Sequence, residues 1–294
     1  MKEKFQAKTF RAESLRTIER VNEIVALYQA QGYVLSLRQA YYQGVAKNWW
    51  ENSEKSYKNL GALINDARVA GLVDWSAIED RGREVAFPAH WASPKEIVEV
   101  AANQFRLDKW LDQDYLILVM VEKQALEGVL APVCRDMDVR FAANKGYGSA
   151  SFFYEVGQLL RAERRNDKAP VVLYLGDHDP SGLDMTRDVR ERLEMFSRGS
   201  VEVRRLALNI DQVEDFALPE NPAKTTDSRA QAYIDRFGDS SWELDALDPA
   251  TLAGLVQDAV AEYRAENAWT ESLKREQKMR AVCRALAIAT GCAD

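Results

Sequence analysis

The sequence predicts an α/β protein: a small helical module at the N-terminus, then a domain built on a parallel sheet, then a helical C-terminal extension. Three observations carry that expectation. Apolar residues keep helical spacing through the first 70 or so positions, near-continuous apolar runs alternate with helical stretches after Asp114, and residues 249–290 are rich in alanine and glutamate.

From Ala12 to about Gln31, Leu15, Ile18, Val21, Ile24, Val25 and Tyr28 recur at helical spacing, and Gly32 ends the run. A second helix follows Ser36, whose hydroxyl suits an N-cap, and carries LRQAYYQGVA. A third spans Ser53 to about Ala70 and is closed by Gly71. The stretch LVDWSAIEDRGREVAF is short, of mixed polarity and has a central glycine, as a small hairpin or wing has. Three helices and a wing make a winged helix-turn-helix, a common DNA reader that also serves protein partners, and its boundary falls at residues 1–92.

Residues 93–294 form the second expected domain. YLILVMV, MDVRFA, VVLYL and VEVRRLAL read as four strands, with helical stretches 123–130, 150–165 and 182–197 between them. Continuous apolar strands joined by helices imply a parallel sheet covered on both faces, hence a Rossmann-like domain. Neither GxGxxG nor GxxxxGK with a following Ser or Thr occurs, so dinucleotide and P-loop nucleotide sites are not indicated. After Leu206 come acidic loops and the helical tail.

Composition narrows the chemistry. The chain has 294 residues, 47% of them hydrophobic, which suffices for packed cores. No apolar run approaches the roughly 20 residues that span a bilayer, and the start MKEKFQAKTFRAE lacks a signal-peptide core, so no membrane partner and a cytoplasmic location are expected. Cys134, Cys283 and Cys292 lack CxxC spacing, and His90 and His178 are the only histidines, which argues against disulfide frameworks, zinc sites and imidazole-rich metal sites. Residues 1–85 hold 13 Lys and Arg against 11 Asp and Glu, a net of +2; the whole chain is −7, so the remainder carries −9. A mildly basic module on an acidic body can grip phosphates locally, because salt screens charge beyond about 10 Å.

The run VVLYLGDHDPSG ends an apolar strand in Asp177 and Asp179. Both are common turn formers, and a loop and helix cap would explain them. Carboxylates at the carboxyl end of a parallel strand also stand where open α/β sheets place ligands. Residues two apart in extended chain face one way, so Asp177 and Asp179 are expected on one site, with His178 turned away as a structural or solvent-facing residue. The first strand of the sheet ends in Glu122; if the two strands are neighbours, three carboxylates meet. Oxygen-only ligands without His or Cys favour Mg²⁺ or Mn²⁺.

A strand ending in Glu followed by one ending in DHDPSG resembles the Toprim domain, the metal-binding fold of topoisomerases, bacterial primases and some nucleases. The chain is most similar to the A subunit of topoisomerase VI and the related enzyme of meiotic double-strand breaks, where a winged-helix domain bearing Arg-x-x-Tyr-Tyr precedes the Toprim domain. RQAYY, Arg38 to Tyr42, stands in the matching place. NDAR, EDRGR, NKGYG and RLALNIDQVEDFALP follow in family order, so the likeness spans roughly residues 33 to 220. GYGSAS lacks the Pro-Asp that often follows Lys-Gly, and SSWELDALDP matches less clearly.

The resemblance implies a DNA-breaking transesterase in which Tyr42 is the nucleophile and Tyr41 packs. A phenol of ordinary pKa about 10 needs nearby positive charge, and Arg38, one turn before Tyr42, is placed to supply it or to hold the phosphate. Glu122, Asp177 and Asp179 would hold Mg²⁺, or Mn²⁺; Lys145 reads as a phosphate contact or as an ordinary loop lysine. The family implies a homodimer on double-stranded DNA, the tyrosine of one subunit working with the metal site of the other, and a separate ATPase B-type subunit. Two alternatives stand beside it: a Toprim nuclease that hydrolyses DNA with water, and a non-catalytic DNA-binding subunit of a larger complex.

Overall fold

The computed structural model describes residues 2–79, 88–144, 146–223 and 229–290. The N-terminal module comprises α1 (Ala12–Gln29), β1 (Leu35–Ser36), α2 (Leu37–Ala46), α3 (Glu54–Val69) and β2 (Ile78–Glu79). Ser36 starts α2 with a reciprocal capping box: its hydroxyl accepts the Gln39 N–H at 3.2 Å while the Gln39 side chain accepts the Ser36 N–H at 2.8 Å. Ser53 caps α3 likewise. The helices bury one face each, Ile18, Val21 and Val25 packing on Tyr41, Tyr42 and Val45 and on Leu60, Ile64 and Ala67. Within the expected wing, β2 pairs in parallel with β1, and residues 80–87, the rest of it, lie outside the described residues.

The chain then runs through α4 (Pro94–Gln104), β3 (Tyr115–Val121), α5 (Glu127–Asp136), β4 (Arg140–Ala143), α6 (Ala150–Arg164), β5 (Ala169–Leu175), α7 (Pro180–Ser197) and β6 (Glu202–Ala207). The four strands form one all-parallel sheet in the order β4-β3-β5-β6. Successive residues of β3 point to opposite cores: Ile117, Val119 and Val121 join α5, whereas Leu116, Leu118 and Met120 join Phe153 and Leu160 of α6 and Val189 and Leu193 of α7. That double burial is why the strand reads as an unbroken apolar run. The expected second strand starts later than its sequence suggests, because Asp138 takes a left-handed turn, φ 55°, between α5 and β4.

From β3 the chain crosses one way, to β4; from β5 it crosses the other way, to β6. The carboxyl ends of β3 and β5 therefore flank the topological switch point, the crevice in which open α/β sheets bind ligands. Among the described residues, the acidic region after β6 contains α8 (Ile210–Asp215), β7 (Asn221–Pro222), α9 (Ala230–Phe237) and β8 (Ser240–Ser241), where the sequence suggests only loops. A 3₁₀ turn, Leu244–Ala246, leads into α10 (Pro249–Glu262) and α11 (Glu266–Thr290), the helical tail. Leu252, Ala253 and Val256 of α10 and Trp269 of α11 pack into the core under β3 and β5. Among the described residues no helix is long and apolar enough to cross a membrane.

Candidate active site at the switch point of the sheet

Beyond β3 and β5 the two chains stay paired for one more residue, the Glu122 N–H donating to the Leu175 carbonyl at 2.8 Å. The Glu122 side chain then turns across and accepts the Asp177 N–H at 2.9 Å. Gly176 permits this approach, since a Cβ there would stand 2.7 Å from the Glu122 carboxylate. Arg205 fixes the loop from below, donating to the carbonyls of Gly176 at 2.8 Å, Asp177 at 2.5 Å and Gly182 at 3.0 Å.

Asp177 is 7% exposed and uses both oxygens: one accepts the Leu244 N–H at 2.8 Å, the other meets the Lys123 ammonium at 2.8 Å. That ammonium also bonds Glu243 at 2.5 Å and Asp245 at 3.1 Å. Glu243 in turn accepts from the Arg38 guanidinium of α2 at 2.5 Å. A continuous chain of charges thus runs from the helix of RQAYY to the sheet edge, through residues distant in sequence. Burial pushes the Glu122 carboxyl up to about 7, with Asp177 adding to the rise, and the Asp177 carboxyl up to about 6 despite the opposing pull of Lys123.

Tyr42 is 5% exposed, and its hydroxyl accepts a long hydrogen bond, 3.4 Å, from Asn221. Burial, then the Glu243 carboxylate, raise its pKa to about 12, while the Asn221 bond, Arg38 and Lys123 oppose the rise. Arg38 is spent on Glu243 and on the face of Tyr57, 5.4 Å away, and acts on Tyr42 only through its field. Tyr41 packs as expected and is also polar glue: its one hydroxyl proton is shared between the carbonyls of Glu51 and Ser53, and its oxygen accepts the Ser53 N–H at 2.8 Å. A cavity of about 450 Å³, lined in part by Arg38, Tyr57, Asn65 and Gln124, opens between α2, α3 and the turn after β3.

Asp179 parts from Asp177: its side chain caps α7, accepting the Gly182 N–H at 2.6 Å and the Ser181 hydroxyl at 2.9 Å. It still adds to the rise of Glu122, so it lies within the field of the site. His178 is turned away and is structural, not solvent-facing. It is 2% exposed, bonded to Tyr233 at 2.8 Å and in tilted and edge-on contact with Tyr233, Phe237 and Trp242, with burial lowering its pKa to about 4. Lys145 lies outside the described residues. Among those described, no three His, Cys, Asp or Glu side chains stand ready as a metal cage.

Lys123, Glu243, Asp245 and Asn221 are not anticipated from the sequence. Glu243 and Asp245 repeat the acid-x-acid spacing of Asp177 and Asp179 within SSWELDALDP, which is the one signal that marks them. Gly182 is as tightly placed as Gly176, because a Cβ would stand 2.3 Å from the Asp177 carbonyl oxygen. Gly182→Ala is expected to destabilise the protein by about 1–3 kcal/mol in chemical denaturation, as other overpacked sites do. An unchanged denaturation midpoint would show that the loop relaxes freely.

Comparison with protein-family models, with curated proteins and with solved structures finds no match to this chain.

Proposed function

We propose that the protein is a Toprim-type DNA transesterase that breaks duplex DNA through Tyr42, acting as a homodimer alongside an ATPase subunit of B type. One observation carries the reading: Arg38 of the Arg-x-x-Tyr-Tyr helix and Asp177 at the sheet's switch point belong to a single network of charges. The helical module, whose three helices and short strand pair suit a winged helix, would bind the duplex through Arg38, Lys47, Lys55 and Lys58.

The residues present fit a hard divalent cation. Glu122 and Asp177 offer oxygens only, and both carboxyls are held at raised pKa, a penalty that a cation would relieve. Glu122 and Asp177, with Asp179 from the first turn of α7, would hold Mg²⁺ or Mn²⁺, whose charge would stabilise the leaving 3′ oxygen. The Tyr42 oxygen, once its proton has passed to solvent, attacks the phosphorus; the P–O3′ bond breaks, and a free 3′ hydroxyl and a 5′ phosphotyrosine result. No bond energy is lost, so the reaction can reverse.

The burial of Tyr42 favours a second reading, in which water is the nucleophile and the protein is a metal-dependent nuclease. Supercoiled duplex incubated with the full chain and Mg²⁺, then stopped with detergent, separates the two. Protein retained on 5′ ends is the expected result. Clean ends select the nuclease, and intact DNA counts against both.

A further inference from the structure

Several polar bonds cross between the N-terminal module and the sheet domain. Asn52 bonds the Glu220 carbonyl at 2.8 Å and the Asn221 side chain at 3.0 Å, Tyr28 bonds Asp248, and Arg38 bonds Glu243. Apolar contacts also cross this boundary among the described residues: Ala246 and half-buried Leu218 join the module's core, and Tyr33 packs on that of the sheet domain. Contacts of that character separate more readily than packed cores do. Closed, they leave Tyr42 with 5% exposure.

Lys123 links this boundary to the carboxylates. Its ammonium supplies the neutralising charge that a divalent cation would otherwise supply to Asp177, and it holds Glu243 where Arg38 can reach it. A cation at Glu122 and Asp177 competes for the same Asp177 oxygen, and its charge repels the Lys123 ammonium beside it. We propose that Lys123, Glu243 and Arg38 form a latch that holds Tyr42 shut, and that a divalent cation bound at Glu122 and Asp177 expels the Lys123 ammonium, loosens Glu243 and releases the N-terminal module. Lys123 is then a positioning residue that couples cation binding to exposure of the tyrosine.

The inference rests on reading Glu122 and Asp177 as cation ligands, so its test measures binding and release separately. Mn²⁺ binding to the full chain is followed by loss of the free-ion resonance signal, and amide hydrogen exchange is followed at Leu244, whose N–H is held by Asp177, and across α2. With Mn²⁺ bound, exchange at both is expected to rise about tenfold or more. Glu243→Gln, which keeps the side chain's shape, should raise it without any metal; Arg38→Gln cuts the same link from the exposed side and should do so where Glu243→Gln fails to fold. Bound Mn²⁺ with unchanged exchange, or Arg38→Gln exchange equal to that of the unaltered protein, overturns the latch and leaves the metal reading intact. Absence of Mn²⁺ binding overturns both, and covalent attachment to DNA would then have to arise without either.

Discussion

Tyr42→Phe should abolish covalent attachment to DNA, a loss on the order of 10⁴-fold or more, while the protein stays folded. The change removes one oxygen from a side chain whose hydroxyl makes, among the described residues, only the 3.4 Å bond with Asn221, so its cost in stability should stay within about 1 kcal/mol. Tyr41→Phe should behave in the opposite way. It strips a hydroxyl that satisfies the Ser53 N–H and shares its proton between two carbonyls, and should cost about 1–3 kcal/mol in stability yet keep the adduct. The pair of variants separates nucleophile from packing by two independent readouts, detergent-stable adducts and a denaturation curve. Adducts formed at the normal rate by Tyr42→Phe would remove the transesterase reading and promote the nuclease.

The same contrast shows where the sequence is informative. β3 and β5 are legible because both faces of each are buried, which leaves no polar alternation to blur them. Glu122 and Asp177 follow, since an acid at the end of such a strand has few reasons to be there. The helical stretch after β3 reads as 123–130, whereas α5 starts at Glu127, carries Pro132 inside and continues to Asp136. α8 and α9 escape notice because six and eight residues are too few to display a period.

What the sequence withholds is the partner of each charge. Arg38 is one turn from Tyr42 and reads as its activator, whereas the fold spends it on Glu243, 205 positions away. Asp177 and Asp179 share a face only while the chain is extended. Pro180 and Gly182 start α7 at once, and Asp179 becomes its cap. Glu243 and Asp245 reach Lys123 only because the loop after β8 folds back over the sheet edge, where Trp242 pairs with the backbone of His178. Such contacts depend on the path of irregular chain, for which no periodicity speaks.

Thermal stability without a divalent cation should fall as pH rises from about 5 to about 8, and Mg²⁺ should restore most of it at the higher pH. Glu122 has a folded pKa near 7, above its ordinary value, chiefly from burial and then from the Asp177 charge. A carboxyl raised in this way binds its proton more tightly when folded than when unfolded. Its contribution is therefore complete below the ordinary carboxylate range and is lost as pH climbs through about 7. A shift of that size corresponds to about 3 kcal/mol, which for a chain of this length is on the order of several degrees in melting temperature. Asp177, raised to about 6, acts in the same direction. Mg²⁺ binds the ionised carboxylates and not their protonated forms, so its stabilisation should be large at pH 8 and small at pH 5. Glu122→Gln keeps the shape and never ionises; it should flatten the pH dependence and lose most of the Mg²⁺ effect, and melting curves of both proteins at the two pH values decide the matter. Equal stabilisation of Glu122→Gln and the unaltered protein by Mg²⁺ would place the cation elsewhere than at the switch point.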